Sequence, residues 1–171
     1  HLGFPLGGYW SAFPIRDATG AYVLSATRSL TFEPTKHYVG SPVSLHEVSL
    51  SNTVSLFRVL SAYAILDYKG GQYLYNGRER QRCLNGNNCA FVNTVGQDTI
   101  AIRAYRTAAN DEPYLEKANF GKLRDLSFTL QVPPRYLPFT GSQDASGVLA
   151  GHDMKVWRDY SGPDPETTSH T

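Results

Sequence analysis

From Ser61 to Gly77 the chain reads SAYAILDYKGGQYLYNG, the strongest local signal in the sequence. Ser61 to Tyr68 reads as a strand, Lys69-Gly70-Gly71 as a turn and Gln72 to Tyr75 as the return strand. Asn76-Gly77 then closes the unit with a common two-residue turn dipeptide. On the return strand Tyr73 and Tyr75 share one face while Leu74 points to the other. Upstream, Val43 to Leu50 and Val54 to Leu60 are two further strands, parted by the hairpin-length Ser51-Asn52-Thr53. Earlier still, Ala21 to Glu33 alternates with Tyr22, Leu24 and Ala26 on one side until Pro34 ends it, and 35–40 form a polar connection. Downstream, Asp98 to Thr107 places Ile100, Ile102 and Ala104 on one strand face, and Leu126 to Val132 is a last strand before Pro133-Pro134. A short helix fits around Tyr114 to Ala118. Residues 1–20 are an irregular lead-in carrying Tyr9 and Trp10.

These elements predict an all-β domain over 1–140, built as two packed antiparallel sheets. Residues 141–171 read as a loop-like extension. Val156-Trp157 is its anchor, and a tail from Ser161 to Thr171 is expected to fray. Composition points the same way. The 171 residues are one domain in length, and 41% apolar content supplies a core. Fifteen Gly and ten Pro punctuate the chain too often for long helices. Sixteen basic against fifteen acidic side chains leave a net charge of +1, against a bulk nucleic-acid binder. No apolar run approaches the roughly 18 residues of a membrane helix, so no membrane insertion by this domain is expected. The opening His-Leu-Gly-Phe-Pro does not have the form of a signal peptide.

Cys83 and Cys89 enclose Leu84-Asn85-Gly86-Asn87-Asn88, which is turn chemistry. A disulfide there would be a local staple, and two free thiols in a reducing compartment are the alternative. Zinc would need a second ligand pair that the spacing does not supply. The chain carries no phosphate loop, nucleophile elbow or His-Glu-x-x-His, so no catalytic residue, cofactor or resident metal is expected. One enzymatic alternative rests on His1. Its amine and ring can hold copper, with His37, His46 or His152 completing a brace, as in lytic polysaccharide monooxygenases. Gly8-Tyr9-Trp10 with Asp67-Tyr68 resembles the signatures of lipocalins, which implies a carrier of a small apolar ligand.

The polar and aromatic inventory fits binding better. Arginine is the main cation, at 11 against 5 Lys. Arg78, Arg80 and Arg82 follow Tyr73 and Tyr75, and Arg103 and Arg106 lie on a strand candidate. Aromatic faces stack against the C–H face of a sugar ring, while guanidinium forks donate to hydroxyls or a carboxylate.

The order of these features resembles the head domain of the rotavirus outer-capsid spike, the fragment that trypsin releases. The similarity runs from Tyr9 to about Gly121. An opening Tyr9-Trp10 precedes the first strand, Leu30-Thr31-Phe32-Glu33-Pro34 ends one, and Tyr38-Val39-Gly40 steps into paired strands. The Tyr63-Ala64 strand, its Gly turn and the Tyr73-Leu74-Tyr75-Asn76-Gly77 return follow. Ala104-Tyr105-Arg106 and the acidic Asn110-Asp111-Glu112 complete the order. The resemblance implies a galectin-like sandwich, or a rearranged variant of it, that binds host cell-surface glycans without catalysis. It also implies a place on the virion outer capsid, with the remainder of the spike protein as partner. Carried over residue by residue, its glycan site falls on Trp10, Tyr73 and Arg106; Tyr75, Arg78 and Arg80 are read as flanking it. The family's sialic-acid cleft has no match, since Lys36-His37 and Ala90-Phe91 stand there. Residues 124–171, the cysteine loop and the Arg78-to-Arg82 cluster also depart from the family pattern, as in a divergent rotavirus group.

Overall fold

A computed structural model describes residues 2–86, 88–137 and 145–166. In chain order the strands are β1 (Tyr9–Ser11), β2 (His37–Gly40), β3 (His46–Leu56), β4 (Leu60–Gly70), β5 (Tyr73–Tyr75), β6 (Leu115–Lys117), β7 (Phe120–Val132) and β8 (Ala145–Arg158). Helices α1 (Gly77–Leu84), α2 (Ala90–Asn93) and α3 (Thr99–Tyr105) lie between β5 and β6. Among the described residues strand takes 43% and helix 16%. The protein is therefore mostly β, with antiparallel sheets, in keeping with an all-β sandwich-like fold. Among the described residues no helix is long and apolar enough to cross a membrane.

The chain divides into two compact units. One comprises Leu45–Gly70 and Asn119–Asp159, and the other comprises His1–Ser44, Gly71–Ala118 and Tyr160–Thr171. The first is a single open sheet in the order β3-β4-β7-β8. Both of its chain segments are tied at the root, by Leu45 N–H donating to Gly70 O at 2.9 Å and Asp159 N–H to Asn119 O at 3.0 Å.

The long β3 corrects the expected turn at Ser51-Asn52-Thr53. Ser51, Asn52 and Thr53 instead pair with Ile65, Ala64 and Tyr63. The physical reason is alternation without a break: Val48, Leu50, Val54 and Leu56 fall on one face, and Ser49, Ser51, Thr53 and Ser55 on the other. The chain reverses after Leu56, where Phe57 and Arg58 take left-handed φ of 53° and 58°. Register carries the two-faced pattern across all four strands. Leu50 opposes Leu66, Leu60 opposes Leu130, and Phe128 lies between Ala62 and Leu149. The opposite face carries most of the polar groups, alongside Tyr63, Ile65, Val148 and Val156. There Asp67 accepts from Ser49 Oγ at 2.6 Å and pairs with Arg124, and Lys69 meets Glu47 at 3.3 Å. These donors hold the Asp67 carboxyl below its ordinary range, the Ser49 hydroxyl acting most strongly.

β8 is a second correction, because the sequence predicts a loop-like segment over 145–158. This segment pairs with β7 along its length, around an irregularity between Leu123 and Asp125. Trp157, expected to anchor that region, is 52% exposed. Residues 138–144 and 167–171, which carry part of the expected extension and tail, lie outside the described residues. Ser161, the start of that tail, does not fray: its N–H and hydroxyl donate to Glu116 at 2.8 Å each.

In the other unit, β4 does not turn back on β5. Gly71, at φ 83°, redirects the chain, and β5 pairs with β6. Both edges of β4 are already taken by β3 and β7. The expected closing turn at Asn76-Gly77 is instead a helix start. Asn76 Oδ1 accepts from Glu79 N–H at 3.0 Å, capping α1. Its Nδ2 donates to Glu116 Oε1 and Ser161 Oγ, both at 2.9 Å. The expected strand over 98–107 is α3, capped by Asp98 accepting from Ala101 N–H at 3.2 Å, with Ala104 buried. The expected helix at 114–118 is a single 3-10 turn (Glu112–Tyr114) running into β6. The expected strand over 21–33 is a narrow ribbon of isolated bridges, Arg16 to Tyr22 and Leu24 to Leu30.

Cys83 and Cys89 form a disulfide. They are buried with Tyr114, and Tyr75, Val92 and Tyr105 pack against them. Burial pushes the Tyr114 phenol up to about 12. Its hydroxyl donates to the Tyr105 carbonyl. Leu74, Ala118 and Tyr160 make a second small core.

Candidate functional site

β1 and β2 form a short antiparallel ribbon with Trp10 opposite Tyr38 and Tyr9 opposite Gly40. Directly opposed residues share a face, so the Trp10 and Tyr38 rings meet with centroids 5.6 Å apart. Phe4 folds over both, 4.8 Å from Trp10 and 4.9 Å from Tyr38. Gly8 makes room for this, since a Cβ there would lie 2.7 Å from Tyr38 Cε2. Two residues beyond Tyr38, Gly40 presents bare backbone to the Tyr73 ring. A Cβ at Gly40 would lie 2.6 Å from Cγ and 3.0 Å from Cε2 of that ring. Tyr73 is held in place by its N–H, which donates to Ser41 O at 2.7 Å. Trp10 thus sits on the β1–β2 ribbon, and Tyr73, from β5, packs its ring on Gly40 of that ribbon. Both are partly exposed, and Phe4 at the rim is 46% exposed.

The other expected site residues divide between two places. Tyr75 and Arg80 converge on Asp111: the phenol donates to Oδ1 at 3.3 Å and the guanidinium Nε at 2.9 Å. Arg80 also donates to Ala108 O at 3.0 Å, which makes it a clamp between α1 and the 108–111 loop. Burial first, and Asp111 second, raise the Tyr75 phenol above its ordinary range. Arg78 is exposed on the first turn of α1. Arg106 follows α3 and borders an open groove with Thr99, Ile102, Arg103 and Thr107. Arg103 donates to Arg28 O at 2.8 Å, so the 21–33 ribbon is pinned to α3.

One aromatic surface was not picked out as a site. Gly121 on β7 stands in register between Tyr68 on β4 and Trp157 on β8. The missing side chain leaves a cleft flanked by the two rings, which are 46% and 52% exposed. The signal was faint, because it requires a glycine to align with two aromatics in distant strands.

For the copper alternative, His1 lies outside the described residues. His37 pairs with Glu33 at 2.6 Å, and His152 pairs with Asp125. Among the described residues one group of three potential metal ligands lies together, Glu79 with Cys83 and Cys89, and both sulfurs of that group are joined in the disulfide. The four-stranded sheet is open, with β3 and β8 at its edges, unlike a closed lipocalin barrel. No protein-family model matches the chain, and no curated protein matches it.

Proposed function

We propose that this chain is a non-catalytic glycan-binding domain that attaches a virion to host cell-surface glycans. The observation that carries the reading is the Phe4–Trp10–Tyr38 cluster with Tyr73 seated beside it on Gly40. Partly exposed rings on and against a short ribbon suit the C–H face of a pyranose. In this reading Trp10 and Tyr73 stack against sugar. Arg106 and Arg78, exposed and cationic, donate to hydroxyls or a carboxylate, whereas Tyr75 and Arg80 support the scaffold through Asp111. The reading brings with it an outer-capsid position and the rest of a spike protein as partner. A single shallow site of this kind binds at about millimolar, near −4 kcal/mol, and many copies supply avidity. Glycan-array binding of the wild type, reduced about tenfold or more in Trp10→Ala and in Tyr73→Ala with unchanged circular dichroism, is the expected result. Equal binding by both variants and wild type would eliminate this surface.

A further inference from the structure

The four-stranded sheet carries an apolar face that the single chain leaves open. Leu50 is 59% exposed, Leu66 42%, Phe128 41%, Leu130 49% and Leu149 73%. These are directly opposed or same-face positions on all four strands, so their exposure is one continuous patch and not scattered surface. The face across the sheet also holds Ile65, Val148 and Val156, but it has the ion pairs and hydroxyls of a solvated surface.

We propose that a second copy of this chain covers the apolar face, the two sheets packing face to face about a two-fold axis. Area supports this occupant. Strands of about 11 paired residues extend about 36 Å, and four of them span about 19 Å. The patch is then about 700 Å² per copy, or about 1,400 Å² in total, inside the range of stable specific interfaces. Charge supports it as well. Lys155 is the one Lys, Arg, Asp or Glu at the paired positions of this face. It lies on the edge strand β8, where its ammonium can reach solvent. A face with so little charge meets its own copy without burying unpaired ions, and a two-fold axis needs only one self-complementary patch. The Gly121 cleft between Tyr68 and Trp157 gives each sheet a recess for apolar side chains of the other.

The test is the mass of the full chain in solution by sedimentation equilibrium, from about 1 to 100 μM. A mass twice that of the chain is expected, falling to the single-chain mass in Leu149→Lys. Leu149 is 73% exposed in the single chain, so this variant keeps the fold and still places a charge in the interface. Ser127→Lys, on the polar face, should remain dimeric. A wild type that stays single-chain throughout overturns the proposal, and if that monomer binds neutral phosphatidylcholine vesicles, the face belongs to lipid. A dimer of undiminished stability in both Leu149→Lys and Phe128→Lys also overturns it.

Discussion

Gly40→Ala tests the placement of Tyr73 directly. The backbone of Gly40 is not left-handed, so alanine brings no conformational penalty of its own; only space is at issue. The added methyl would sit 2.6 Å from Tyr73 Cγ, inside the distance any real Cβ tolerates. The ring, held by the Tyr73 N–H bond to Ser41, has to tilt away or push the ribbon aside. Overpacking of this kind destabilises by about 1 to 3 kcal/mol. For a chain of this length each kcal/mol lowers Tm by about 2 to 4 °C, so a loss of about 2 to 12 °C is expected in a thermal melt. The decisive measurement is the cycle with Tyr73→Ala. Once the ring is gone, the methyl has nothing to strike, and Gly40→Ala should change stability by less than about 0.5 kcal/mol. If the Gly40→Ala loss is the same with and without the ring, Tyr73 does not lie over Gly40, and the proposed stacking surface loses its geometry.

Cys83→Ser with Cys89→Ser removes a staple across a sequence separation of 6, and should lower stability by about 2 kcal/mol; a urea midpoint identical to that of the oxidised wild type would contradict this. Asn76→Ala uncaps α1 and removes the bridge to Glu116 and Ser161, which keep their bonds to each other, so a loss of about 1 to 2 kcal/mol is expected by urea titration, against near-neutrality if the cap is idle. Asp67 has a lowered folded-state pKa. Its stabilisation is therefore complete above the unfolded value of about 3.9 and lost as pH falls through the folded one. Acid titration of Asp67→Asn should accordingly show a shallower stability loss below about pH 4 than wild type, and superimposable curves would refute the role of Ser49 and Arg124.

What the sequence disclosed was set by how local the physics is. The Ser61-to-Tyr68 strand was legible because its alternation is complete within eight residues. The same rule, applied through Ser51-Asn52-Thr53, gives one unbroken strand; turn propensity misled because Asn52 occupies an apolar-face position without ending the period. Ile100, Ile102 and Ala104 mimic a strand, yet Ile100 and Ala104 also share a helix face, and Asp98 is a capping residue in plain view. Asn76 with Glu79 three positions on carried a similar helix-start signal. β8 was hidden because Gly147, Gly151 and the left-handed Asp153 interrupt it, and its partner β7 alone fixes its register. At the site, Trp10 and Tyr73 are recognisable as rings, but the seating of Tyr73 against the ribbon depends on Gly40, a residue without a side chain. Arg80 reads as a flanking residue of the glycan site because Asp111, its acceptor, stands 31 positions away in the chain.

The paired roots at Leu45–Gly70 and Asn119–Asp159 have a consequence for how such a chain can vary. Each excursion departs and returns through one hydrogen-bonded gate, so growth or shrinkage at the far tip leaves the gate untouched. Adding two residues to each arm of the Leu56–Leu60 reversal lengthens the ribbon by one full pleat and keeps every side chain on its original side, whereas adding one inverts all that lie beyond it. Reach can then change only in even steps, with the reversal as the place where length is added or lost.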